Sequence, residues 1–259
     1  KETVKKRNLK WLGLTVATTG ILLAGDEIFL DEAERVQNIG VTKKHEYIQL
    51  GGMVDVPTNT SATLYHFGHG NTSLIVGLGL LTVGGIKKDY RAIHTSSEIL
   101  EGLFTLGVMT QGLKRVFGRE SPNAATAPRG KWHGFPGWNE YMENTSHYDA
   151  MPSGHVATLT STVTILAKNY PEVKWIKPVG YSLMGIMAFE MVSSKVHWVS
   201  DYPLALLIGY VIGKNAANRR IIKTEKTDIT GRVIKPKFKT DFSFNYTPEF
   251  KTVGVSISF

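Results

Sequence analysis

Cysteine is absent from the 259 residues. A disulfide framework and a thiolate metal site are therefore both excluded. The chain also lacks a clean run of about twenty apolar residues, the length a membrane span needs. Its longest early apolar stretch, 9–24 (LKWLGLTVATTGILLA), meets Asp26 and Glu27 almost at once. Other apolar stretches fall at 74–86, 102–110, 155–167, 175–192 and 203–213. With a mean hydropathy of −0.09, these read as helices buried in a globular domain rather than as a multi-span bundle. Histidines and carboxylates nowhere stand at convincing metal-ligand spacing; His66 and His69, three apart in a Gly-rich stretch, read as loop residues. Internal repeats are missing. So is any nucleic-acid recognition motif: the basic residues are scattered, which excludes a nucleic-acid module. What the chain has in surplus is positive charge, +8 at neutral pH, a balance that favours phosphates or acidic lipid surfaces.

Helical periodicity fills much of 8–118 and 153–219. Leu100, Leu103, Phe104, Leu106 and Met109 line one face of a helix that runs into Lys114. Residues 52–72 read as loop, being rich in Gly, Thr and Asn. Residues 119–151 form a longer irregular stretch, and a loop of that length inside a domain is usually functional or disordered. Its aromatics Trp132, Phe135, Trp138 and Tyr141 argue for burial and order, so the stretch reads as a lid beside a site. Past residue 222 the chain turns polar. It then alternates apolar and polar residues on both sides of Thr247-Pro248-Glu249, the pattern of a β-hairpin. The expected organisation is a helical domain over 1–222 and a C-terminal extension, a β-hairpin, over 223–259.

Three clusters carry chemistry. Lys114-Arg115-Val116-Phe117-Gly118-Arg119-Glu120-Ser121-Pro122 closes a helix. Met151-Pro152-Ser153-Gly154-His155 opens another. Lys195-Val196-His197-Trp198-Val199-Ser200-Asp201 stands near the start of a third. Pro-Ser-Gly ahead of an apolar run signals a helix start, where free N–H groups and the positive dipole end attract anions. His155 falls in that first turn. His197 and Asp201 are four apart, hence on one face if helical. A carboxylate there can take the Nδ1 proton of the imidazole and leave Nε2 free as a nucleophile. Lys114 and Arg119 supply cations for a tetrahedral oxyanion. Each cluster alone is equally an ordinary cap, a helical pair or a solvated basic helix end.

Taken together and in this order, the clusters resemble the type 2 phosphatidic acid phosphatase superfamily, which also holds bacterial class A acid phosphatases and vanadium haloperoxidases. The family pattern runs Lys, six residues, Arg-Pro; then Pro-Ser-Gly-His; then Ser-Arg, five residues, His, three residues, Asp. Pro152 to His155, His197, Asp201, Lys114 and Pro122 match it. Ser121 stands where the family has its first arginine, and Glu190-Met191 where it has Ser-Arg. Arg119 matches an arginine common in GRxRP versions of the first motif. The resemblance covers roughly 100–213.

The resemblance implies a mainly α fold, a helical bundle of the acid phosphatase/haloperoxidase type. It implies phosphate-ester hydrolysis without a metal or other cofactor. His197 is the expected nucleophile, forming a phosphohistidine. His155 is the expected proton donor to the leaving oxygen, and Asp201 orients His197. Lys114, Arg119, Ser153 and Gly154 are the expected phosphate-binding residues, with Lys195 a second candidate for the work of the missing arginines. The substrate would be a phosphorylated small molecule or a lipid phosphate or pyrophosphate. The location would be the cell envelope, periplasmic or membrane-associated. Two other readings stay open: a haloperoxidase using vanadate as cofactor, and a non-catalytic envelope protein that binds phosphate or anionic lipid.

Overall fold

The structure, a computed structural model, describes residues 6–38, 45–50, 54–224, 239–246 and 251–258. Eight α-helices are described: α1 (Lys6–Asn38), α2 (Thr60–Phe67), α3 (Gly70–Lys87), α4 (Tyr90–Phe117), α5 (Trp138–Glu143), α6 (Gly154–Asn169), α7 (Ile176–Ser193) and α8 (Tyr202–Thr224). The mainly helical class expected from periodicity is the one observed. Residues 52–72, expected to be loop, are more ordered than that. Strand β1 (Tyr47–Leu50) pairs antiparallel with β2 (Val54–Pro57), and α2 follows. Asn59 caps α2 by accepting from Ala62 N, a local side-chain bond that makes a helix start of a polar stretch.

The chain divides into two compact units, Lys1–Asn218 and Arg219–Phe259. In the second, β3 (Lys239–Tyr246) pairs antiparallel with β4 (Lys251–Ser258), from Lys239 opposite Ser258 to Tyr246 opposite Lys251. The turn expected at Thr247-Pro248-Glu249 lies outside the described residues, and the hairpin as a whole remains an expectation.

In the first unit, Leu106 of α4, Val156, Leu159 and Val163 of α6, Met184, Met187 and Met191 of α7 and Ala205 of α8 form the main apolar core. A second cluster joins Leu30 and Ala33 of α1 to Val192 and Trp198. The helices approach closely where glycine removes the side chain. A Cβ on Gly209 of α8 would stand 2.3 Å from the Ala157 carbonyl oxygen of α6.

The burial pattern departs from the buried helices that the sequence suggested. On α3 the buried residues are Ser73, Gly77 and Gly84, while Ile75 is 69 % and Ile86 79 % exposed. On α4, Thr95, Ser96, Glu98, Thr110 and Lys114 are buried, whereas Phe104 is 77 % exposed and Val108 and Met109 also face out. Helix α6 is buried along Thr158, Thr160, Ser161, Thr162 and Thr164. While Ile99 and Leu106 of α4 and Val156, Leu159, Val163 and Ile165 of α6 stay buried, along α3 and part of α4 small and polar residues face inward and several large apolar ones outward. This is the reverse of a surface helix in water and matches the small-residue packing of helices in lipid.

The end of α4 matters for the site. Gly118 closes the helix in the left-handed region (φ +53°), its N–H bonded to the Lys114 carbonyl at 2.7 Å. That turn releases the chain into residues 119–151, where Arg119 bridges to Trp132 and to Asp149. Of the aromatics expected to be buried there, Tyr141 is buried, but Trp132, Phe135 and Trp138 are exposed. A Cβ at Gly118 would fall 1.8 Å from the His133 carbonyl oxygen. Gly118→Ala should therefore destabilise by about 2 kcal/mol or more, roughly 1 from the backbone conformation and the rest from the overlap. A thermal melt within a degree of wild type would refute this account of the α4 end.

Candidate active site

The second motif folds as its residues dictate. Ser153 caps α6, accepting from Val156 N at 3.4 Å, and Gly154 is the first helical residue. Nothing lies within 4 Å of where a Gly154 Cβ would be, so the helix start is open to a ligand. His155, next in the first turn, stands with its ring 6.3 Å from that of His197, edge to face. Its Nε2 is shut off from solvent and has no hydrogen-bond partner among the described residues.

His197 does not lie on a helix, which corrects the expected i, i+4 helical pairing with Asp201. It sits in an extended bend after α7, and a 3-10 turn over Val199–Asp201 follows it. Asp201 reaches back across that turn to accept from Trp198 N at 2.9 Å. The same oxygen, Oδ2, comes to 3.4 Å from His197 Nδ1. His197 Nδ1 has no hydrogen bond among the described residues; such contacts are often long in an enzyme without substrate. The Asp201 carbonyl accepts from Ser153 N at 3.3 Å, which ties the second and third motifs together.

Behind Asp201 stands Arg119, fully buried. Its Nη1 donates to Asp201 Oδ1 at 2.6 Å and to Ser200 Oγ at 2.7 Å. Its Nη2 donates to Asp26 Oδ2 at 2.7 Å and to the Arg129 carbonyl at 2.8 Å, and its Nε to that same carbonyl at 3.2 Å. A guanidinium has five N–H groups, and all five are taken by protein acceptors. None is left for a phosphate, which corrects the expected phosphate-binding role: Arg119 holds Asp201 instead. Lys195 is directed toward α1. Its φ is +60°, and its Nζ pairs with Glu34 of α1 at 2.7 Å.

Lys114 remains as the buried cation at the site, with Nζ 3.3 Å from Asp149 Oδ2. Ser121, at the family's arginine position, donates to the other oxygen of Asp149 at 3.4 Å. Met191, at the second arginine position, is buried in the main core. Glu190 beside it is fully buried and pairs with His45 Nε2 at 2.6 Å. The His45 ring lies 4.8 Å from that of Tyr65, tilted by 39°, and the Tyr65 ring lies 4.2 Å from that of His155. His66, expected in a loop, lies in the last turn of α2; His69 sits in the short link between the helices, where it caps α3, and its ring lies 5.8 Å from that of His155. No group of three metal-binding side chains is found among the described residues.

Sequence reasoning missed Asp26, Asp149, Glu190, His45 and Tyr65. Their partners lie far away in the chain, so no local signal marks them.

Two carboxyl or imidazole groups are held well away from their ordinary protonation. Glu120, which starts the lid, is opposed by burial, but backbone N–H groups of Lys131 and Thr126 overcome this and hold it down to about 2. His155 is pushed well below the usual histidine value, by burial first and then by the charges of His197 and Lys114. In the free protein at neutral pH it is therefore uncharged. An anion beside it would reverse the charge terms and draw a proton onto the ring.

Residues 96–220 match the family model of the PAP2 superfamily. That stretch contains all three motifs of the resemblance. Among solved structures the chain resembles the first transmembrane PAP2 type phosphatidylglycerolphosphate phosphatase from Bacillus subtilis, with 15 % identity and a TM-score of 0.49; the likeness covers 84 % of this chain and 95 % of that one. No curated protein matches.

The neutral state of His155 has a measurable consequence. Titration with orthovanadate near neutral pH, in buffers of different ionisation enthalpy, should show net proton uptake that His155→Asn removes. Equal heats in all buffers would mean that His155 does not change its protonation on anion binding.

Proposed function

We propose that the chain is a phosphatase of the PAP2 kind that acts on lipid phosphates through a phosphohistidine on His197. The observation that carries the reading is the convergence of His155 and His197, with ring centres 6.3 Å apart. Asp201 backs the second ring and an open helix start flanks the first. A tetrahedral anion between the rings would meet Lys114 and the first N–H groups of α6.

In the first step, His197 Nε2 attacks phosphorus in line as the bond to the leaving oxygen breaks. The electron pair goes to that oxygen, which takes a proton from His155. Asp201 accepts the Nδ1 proton contact and stabilises the positive ring. Water then attacks phosphorus and gives its proton to His155. The phosphorus–nitrogen bond breaks, and its electron pair returns to Nε2. Lys114, Ser153 and the Gly154 amide stabilise charge on the non-bridging oxygens. The scheme needs no metal, because the cation and the helix start supply that stabilisation.

Lipid substrates and a membrane seat are supported by the outward apolar faces of α3 and α4 and by α1. Over Leu9–Val36, α1 is long and apolar enough to cross a membrane, and α2 with α3 forms a second, bent candidate. Most of the large apolar side chains at the start of α1 are exposed, Trp11 among them. Acyl chains in the bilayer would reach a headgroup site at the end of these helices.

A second reading is favoured by one observation. With Ser121 and Met191 at the family's arginine positions and Arg119 fully bonded, the pocket holds one buried cation, itself shared with Asp149. A phosphate or anionic-lipid binder without turnover is the alternative.

Turnover separates the two. The purified chain should release phosphate from p-nitrophenyl phosphate and from a short-chain lipid phosphate. His197→Ala should abolish release, and His155→Ala should slow poor leaving groups far more than p-nitrophenolate. Vanadate should inhibit; halide oxidation with vanadate and peroxide would instead indicate a haloperoxidase. A His197→Ala protein as active as wild type ends the nucleophile assignment.

A further inference from the structure

The hydrolytic scheme leaves unused a buried carboxylate next to the turn that follows His197. Asp26 lies on α1, is 1 % exposed and belongs to none of the three motifs. Its Oδ1 accepts from Ser200 N at 3.0 Å, and its Oδ2 from Ser200 Oγ at 2.5 Å and from Arg119 Nη2 at 2.7 Å. Arg119 turns its other prong to Asp201 at 2.6 Å. One guanidinium thus clamps two carboxylates from opposite ends of the sequence, and Ser200 joins all three.

We infer that Asp26 is a positioning residue for the His197 nucleophile: by sharing Arg119 it fixes Asp201 and keeps the charge of Asp201 from being cancelled. This rests on the phosphatase reading of the site. Asp26 is faced by a guanidinium, a backbone N–H and a hydroxyl, all donating to it, the surroundings that suit a carboxylate. Two carboxylates around one guanidinium leave a surplus of one negative charge. His197 Nδ1, 3.4 Å from Asp201, is placed to receive it.

Without Asp26, Arg119 and Asp201 would form a neutral pair. His197 would then face only groups that oppose its positive form or leave it unaided. Lys114 of α4 and His155 of α6 are cationic when protonated, and Tyr202 at the start of α8 is neutral, its ring 6.4 Å away. A phosphohistidine carries positive charge on the ring, so the surplus acts where that charge develops. Asp26 touches neither substrate nor reacting atoms. It acts through Arg119 and Asp201.

The test uses the full chain with Asp26→Asn, which keeps the shape and removes the charge. With p-nitrophenyl phosphate, kcat should fall tenfold or more while KM stays within twofold, because Lys114 and the α6 start are untouched. The acidic limb of kcat/KM against pH reports protonation of the free enzyme's nucleophile. It should move to lower pH, since losing a nearby negative charge makes the imidazolium less stable. Nitrogen-15 NMR of labelled histidine should show the His197 titration moving the same way, with no need for turnover. Glu32→Gln, which removes an exposed carboxylate paired with Arg35 on the same helix, should leave all three readouts unchanged.

A variant with kcat within twofold and an unmoved His197 titration overturns the proposal. So does a loss of kcat that follows the folded fraction while the titration stays put, which would make Asp26 a structural anchor. If Asp26→Asn does not fold, Ser200→Ala weakens the same bonds and should shift the titration in the same direction; no shift there also overturns it. A wild-type chain that hydrolyses no phosphate ester defeats the phosphatase reading instead, and the NMR titration still decides whether Asp26 acts on His197.

Discussion

The Arg119 guanidinium sits at the point where three parts of the chain meet. It joins α1 through Asp26, the irregular stretch 119–151 through the Arg129 carbonyl, and the turn after His197 through Asp201 and Ser200. None of the three charged side chains reaches solvent. Removing one partner from such a buried set leaves a bare charge and costs about 3–5 kcal/mol. The arrangement is therefore rigid once formed, and His197 inherits its placement. Gly118, one residue earlier, supplies the backbone turn that aims Arg119 inward from the end of α4.

Under the phosphatase reading, the site is a phosphate pocket without the two family arginines. Where the family pattern has two, this chain has Ser121 against Asp149 and Met191 in the core, with Glu190 paired to His45. Positive charge at the anion site then depends on Lys114, the start of α6 and whatever protonation the substrate induces on His155. Under that reading the pocket would hold an anion less by standing charge than by charge that appears on binding, because burial and the charges of His197 and Lys114 push His155 well below the usual histidine value. That links binding to proton uptake more tightly than a pocket lined with guanidinium groups would.

Burial adds to the helices what a mean composition leaves out. A mean hydropathy of −0.09 counts the Ser, Thr and charged residues without saying where they point. In the folded chain many of them point inward, at Thr95, Glu98, Thr158, Thr162 and Glu190, and large apolar residues such as Ile75, Ile86 and Phe104 point out. An average over the sequence cannot distinguish this arrangement from its inverse.

The sequence by itself determined whatever is built from neighbours. Pro-Ser-Gly-His makes an open, capped helix start with a histidine in its first turn because a cap needs only residues three apart. His197 and Asp201 meet because a short turn brings them together, although the turn is 3-10 rather than α. The helical class and the general positions of most helices were legible for the same reason, being local periodicity. Only tertiary structure decided what Arg119 does. Its partners Asp26 and Asp201 are 93 and 82 residues away, and a guanidinium at a helix end looks the same in sequence whether it faces a phosphate or two buried carboxylates. The difference lies in which distant charges the packing of α1 and α8 brings within hydrogen-bond reach, and no local pattern encodes that.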